Sequence, residues 1–162
     1  VVKYFLLRPY PVDHGWRYKE RWLDLTGGEI RFDPNREFSK SLMSCRIFVT
    51  DHISTTWLEA LSMDVPVLLF VDIEPYNTLD EVKILFEELQ GIGVFHSTPE
   101  SAASFLNEKY ETIEEWWGMP KTKKIVDKVK NYFFTDSGNF TREWTTELLA
   151  LRDKARKGEW IL

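Results

Sequence analysis

Asp51-His52-Ile53-Ser54-Thr55-Thr56 is the stretch whose residue types can do chemistry together. It follows an apolar run, Arg46 to Val49, and precedes a periodic apolar segment carrying Trp57, Leu58, Ala60, Leu61 and Met63. This pattern predicts a strand, a polar loop and a helix. A helix start presents backbone N–H groups without intrahelical partners and the positive end of the dipole. With the hydroxyls of Ser54, Thr55 and Thr56, it can hold a diphosphate. The same residues can also serve as a plain N-cap, for which one hydroxyl suffices. Glu59, one turn into the helix, either reaches a ligand ribose or pairs near the helix start.

Arg8 opens a second polar stretch, Arg8-Pro9-Tyr10-Pro11-Val12-Asp13-His14-Gly15-Trp16. A guanidinium grips a phosphate bidentately, or it makes a salt bridge to Asp13 or Asp51. If the first strand is central, Arg8 lies beside the loop that follows the third. His14 and His52 then fall on neighbouring loops, where either serves as a base or a hydrogen-bond donor. With Asp51 they would suit a metal, but their spacing matches no ligand pattern, so no metal is expected. No glycine-rich phosphate loop, dinucleotide fingerprint or Gly-x-Ser-x-Gly elbow is present.

The elements that must position these residues alternate. Residues 1–7 read as a buried strand, Arg17 to Leu25 as a short helix, and Glu29 to Phe32 as a weak strand. Glu37 to Cys45 is helix-like, with Ser39 or Asn35 as its cap. Arg46 to Val49 is the third strand and Val67 to Val71 the fourth. Asp64 and Pro66 stop the helix between them. Thr78 is expected to cap a helix running to Gln90, and Val94 to His96 is a short fifth strand. Ser97-Thr98-Pro99-Glu100 is a helix start. Helices follow over residues 110–117 and 121–134, the latter with Ile125, Val126, Val129 and Phe133 inside. Asp136 to Asn139 is a loop. Trp144, Leu148, Leu149 and Leu151 mark a last helix with a basic C-terminal end. The expected fold is α/β: a Rossmann-like, doubly wound parallel sheet of about five strands, order 3-2-1-4-5, with extra C-terminal helices.

The chain has 162 residues and a net charge of −5, with 43% apolar, 29% charged and 15% aromatic residues. The apolar and charged fractions are ordinary globular values consistent with one domain, while the aromatic content, with seven Trp, is high. An acidic chain without a Lys/Arg block argues against nucleic acid as a partner. No apolar run approaches the length of a transmembrane segment. The single cysteine, Cys45, fits a reducing compartment and reads as inert packing. A cytoplasmic protein, at most peripheral to a membrane, is expected. Val1 stands inside an apparent strand without an initiator Met, so residues 1–162 are expected to be a single domain cut from a longer protein.

Several segments carry a resemblance. They are Leu7-Arg8-Pro9-Tyr10-Pro11 with Asp13 and Gly15-Trp16, Ser54-Thr55-Thr56-Trp57-Leu58-Glu59-Ala60-Leu61 with Pro66, Phe95 to Glu100, and Trp116-Trp117. Together they resemble a family of surface-carbohydrate-biosynthesis transferases. That family is similar to the C-terminal halves of B-type glycosyltransferases and to polyol-phosphate transferases of teichoic-acid synthesis. The resemblance implies a domain that binds a nucleotide-activated sugar, with Ser54, Thr55 and Thr56 on the donor phosphates and Arg8 across from them. It implies transfer without metal or cofactor, and a catalytic base supplied by an N-terminal domain of the same protein. An Asn commonly precedes the Val-Pro turn in such families, where Asp64 stands here. The alternatives are a non-catalytic, flavodoxin-like module that binds a nucleotide or partner, and half of a nucleotide-sugar epimerase.

Overall fold

The computed structural model describes residues 4–134 and 138–159. Residues 1–3 of the expected first strand, and Asp136 and Ser137 of the expected loop, lie outside the described residues. The order of elements is strand β1 (Leu6–Leu7), helix α1 (Tyr18–Leu25), β2 (Arg31–Phe32), α2 (Phe38–Ser44), β3 (Phe48–Thr50), α3 (Thr55–Ser62), β4 (Val67–Phe70), α4 (Asp80–Gln90), β5 (Phe95–His96) and α5 (Pro99–Lys109). A 3-10 turn (Tyr110–Thr112) leads into α6 (Ile113–Gly118), α7 (Pro120–Phe133) and α8 (Phe140–Arg156).

All strand pairs are parallel, as the alternation requires, but they do not form one sheet. Among the described residues β1 pairs only with β2, in register Leu6↔Arg31 and Leu7↔Phe32. β3, β4 and β5 form a separate three-stranded sheet in that order, with Phe48↔Val67, Thr50↔Leu69 and Leu69↔Phe95 in register. This corrects the single five-stranded sheet of order 3-2-1-4-5, which needs β3 beside β2 and β4 beside β1. The reason lies in the strands. β4 carries Val67, Leu68 and Leu69, all fully buried, and can be covered on both faces. β1 and β2 contribute two residues each, and Leu6 is half exposed, so little apolar area rewards docking them onto the larger sheet.

The core sits around that larger sheet. Trp57, Ala60 and Leu61 of α3 are buried, as are Leu85, Phe86 and Leu89 of α4 and Val126 and Val129 of α7. The Trp57 ring meets Phe86 at 5.9 Å and Phe133 at 5.7 Å, which ties α3, α4 and α7 together. Trp116 and Trp117 are also buried, and the Trp116 indole N–H donates to the Ile92 carbonyl at 2.8 Å.

Two expected caps are replaced. α2 starts from Glu37 with no side-chain cap, so neither Ser39 nor Asn35 fills that position. α4 starts from Leu79, and Thr78 stands one residue earlier with its hydroxyl buried and unpaired. Thr98 does cap α5, accepting from the Ser101 N–H at 3.2 Å, with Pro99 in the first turn. Cys45 is the residue just past α2, and its thiol donates to the Leu42 carbonyl. Burial pushes that thiol up, which suits an unreactive packing role.

Candidate functional site

The three-stranded sheet ends, at its carboxyl edge, in Thr50, Phe70 and His96. Crevices outside the carboxyl ends of parallel strands are where open α/β sheets take ligands. Thr50 is itself buried, and the chain then turns outward through Asp51 and His52, both exposed. The His52 Nδ1 and an Asp51 carboxylate oxygen lie 3.1 Å apart, so the carboxylate orients the ring.

Ser54 takes extended backbone angles and becomes the N-cap of α3, its Oγ accepting from the Thr56 N–H at 3.3 Å. The Ser54 and Thr56 hydroxyls are hydrogen-bonded to each other at 2.7 Å. Thr55, the first helical residue, is exposed, and so is Glu59. The cap and the candidate ligand contacts are thus divided among the three hydroxyls. Ser54 and Thr56 close the helix start, while Thr55 faces solvent. An apolar helix that buries Trp57, Ala60 and Leu61 holds this start rigidly against the sheet.

The far end of α3 is fixed by Asp64, which adopts a left-handed φ of 58°. Asn and Asp tolerate that conformation better than most residues. Asp64 is therefore a residue type suited to the backbone this turn requires. Its carboxylate accepts from Lys123 Nζ at 2.7 and 2.9 Å and from the Trp117 indole N–H at 3.2 Å. Burial pushes the Asp64 carboxyl up, and the Lys123 and Trp117 bonds outweigh it, leaving the group below its ordinary value.

Arg8 belongs to the other sheet. It follows β1, and Asp33 follows the adjacent parallel strand β2. The Arg8 guanidinium donates to Asp33 at 2.7 Å and to the Asn35 and Arg36 carbonyls at 2.8 and 2.9 Å, and it lies 5.5 Å from the Phe38 ring centre. Its ion-pair partner is therefore Asp33, rather than Asp13 or Asp51. Because β1 pairs with β2 alone, the strand pairing does not set Arg8 or His14 beside the loop after β3. Asp13 organises its own turn, accepting from the Gly15 and Arg17 N–H groups at 2.9 and 3.2 Å. His14 stacks on Tyr10 at 6.1 Å.

Asp33 is the hub of this second cluster, with a side chain only 3% exposed. Burial pushes its carboxyl up, but the Ser41 hydroxyl, the Asn35 N–H and the Arg8 guanidinium together bring it down to about 2. The cluster holds residues 33–41 against the end of β1. It is not legible in the sequence, because nothing in the spacing pairs Arg8 with a residue 25 positions on.

A third polar group was not singled out from the sequence. His96, buried at the end of β5, has its Nε2 3.1 Å from the Gly93 carbonyl and its Nδ1 2.7 Å from the Ser101 hydroxyl. The carbonyl requires a proton on Nε2, so Nδ1 accepts from Ser101. Burial pushes the His96 imidazole down, which keeps the ring neutral. Both nitrogens are satisfied within the chain, so the ring locks β5 to the start of α5. The visible signal was a His at a strand end followed, five residues on, by a Ser in the first turn of a capped helix.

Among the described residues, no group of three or more His, Cys, Asp or Glu side chains converges to hold a metal ion, and no helix is long and apolar enough to cross a membrane. No curated protein and no solved structure matches the chain. One family model does, over residues 1–148, and that span covers both sheets, the hydroxyl-lined start of α3 and the Asp64 turn. The chain belongs to the LIC12162 family of transferases.

Proposed function

We propose that this chain is the donor-binding half of a B-type glycosyltransferase-like enzyme of cell-surface carbohydrate synthesis, with a nucleotide-activated sugar as its ligand. The observation that carries the reading is the start of α3. An exposed Thr55 hydroxyl and a capped helix N-terminus stand at the carboxyl end of β3, on a helix anchored by three buried side chains. Membership in a family of transferases supports it.

In this reading the donor diphosphate sits at the N-terminus of α3. The Thr55 hydroxyl and the first N–H groups of the helix donate to its oxygens. His52, oriented by Asp51, donates to the same group, and Glu59 accepts from a ribose hydroxyl. As the bond to the sugar breaks, negative charge grows on the leaving phosphate, and fixed donors stabilise it more than they stabilise the bound donor. Neither metal nor cofactor takes part. The catalytic base comes from a preceding domain of the same protein, across the cleft. Arg8 supports the site indirectly by holding the loop after β2, since its guanidinium is engaged there.

Titration calorimetry with UDP, CDP, GDP and CMP tests this. One nucleotide is expected to bind, and Thr55→Ala is expected to weaken it roughly tenfold, the value of a hydrogen bond to a charged group, without lowering the thermal midpoint. Failure of all four nucleotides to bind refutes the donor site.

A further inference from the structure

Helix α8 is seventeen residues long, about 25 Å, yet none of its residues is buried. Five of its apolar side chains nonetheless share one face, while Leu149 and Ala150 lie off it. At about 100° per residue, Phe140, Trp144, Leu148, Leu151 and Ala155 fall within an arc of about 80°. Trp144 is 56% exposed and Leu148 57% exposed. An aromatic and aliphatic seam of this kind loses free energy in water, and it wants a partner helix.

The charges beside the seam indicate which partner. Glu143, Glu147 and Lys154 lie on the same flank, the two acids in the first half of the helix and the lysine in the second. None of the three makes an ion pair among the described residues. A copy of the same helix laid antiparallel, with its two-fold axis between Leu148 and Leu151, puts Leu148 against Leu151 of the copy and Trp144 against Ala155. The same operation places Glu147 opposite Lys154 twice, once for each strand of the pair. A two-fold interface must be complementary to itself in this way, and opposed helix dipoles favour the antiparallel arrangement.

We propose that α8 is a self-association surface, through which two copies of this chain pair by antiparallel contact of the Phe140–Ala155 seam. The pairing is independent of what binds at α3. A two-helix seam of this length falls short of the roughly 1,200 Å² at which stable interfaces begin, so the dimer is weak and forms in proportion to concentration.

Sedimentation velocity of the 162-residue chain from about 10 μM to about 1 mM covers the range expected of such a contact. The expected result is a monomer at the low end and a growing dimer fraction at the high end. Leu148→Asp is expected to remain monomeric throughout with an unchanged thermal midpoint, because α8 buries no side chain within the monomer. Glu147→Lys is expected to weaken pairing about fivefold, and Glu147→Lys combined with Lys154→Glu to restore it. A monomer at every concentration overturns the proposal, including one that binds vesicles of anionic lipid through α8. So does a dimer indifferent to Leu148→Asp, or a charge exchange that fails to restore pairing.

Discussion

Replacing Asp64 by alanine removes a backbone preference and a set of hydrogen bonds at once, and other substitutions at the same site separate them. The left-handed φ of 58° costs alanine about 1 kcal/mol more than a residue suited to it. The Trp117 indole keeps one acceptor, the Asp64 carbonyl at 3.1 Å, so it is not orphaned, and the lost carboxylate bond is worth about 0.5 kcal/mol. The Lys123 ion pair is more than half solvent-exposed on the Asp64 side and contributes at most about 0.5 kcal/mol after screening. Asp64→Ala is therefore expected to cost about 2 kcal/mol. Asp64→Gly loses the bonds but fits the backbone, and should cost about 1 kcal/mol. Asp64→Asn keeps the conformation and an acceptor for Trp117, and should cost about 0.5 kcal/mol. Urea unfolding followed by tryptophan fluorescence reads these differences from the midpoints at constant slope. Equal losses for alanine and glycine would refute the backbone argument. A loss for asparagine as large as that for alanine would show that the Lys123 pair dominates.

The Asp33 carboxyl is held at about 2 in the folded chain, against an ordinary value of 3.8. A depressed carboxyl stabilises the fold above its unfolded value and loses that contribution as pH falls through the folded one. About 2 kcal/mol should therefore disappear between about pH 4 and pH 2, and urea midpoints of the wild type against Asp33→Asn across that window should converge. Gly93→Ala places a Cβ 2.3 Å from the Phe105 ring at a φ of 78°. That ring is wedged between His96 at 5.3 Å and Trp116 at 5.1 Å. The substitution should cost about 3 kcal/mol, and a thermal midpoint within about 2 °C of wild type would show that the ring has room to move.

Local patterns made most elements readable. The run Val67 to Phe70 is apolar throughout because both of its faces are covered, and alternation of such runs with amphipathic helices permits only parallel pairing by crossover. Thr98-Pro99-Glu100 marked a helix start because capping is a contact between residues two or three apart, and Ser54 was a cap candidate for the same reason. Local reasoning went astray at α4, where Thr78 has the right residue type but Leu79 takes the cap position.

The sequence by itself determined the α/β class, the parallel strands and the hydroxyl-lined start of α3, because each follows from interactions within a few residues. Only the tertiary structure decided that β1 and β2 stand apart from the other three strands. Strand order depends on how much buried area each strand offers its neighbours, and two-residue strands offer little. Tertiary contact also decided the partners of the charged residues. Arg8 finds Asp33 25 positions on, and Asp64 finds Lys123 59 positions on. Spacing along a chain carries no record of contacts made across a core.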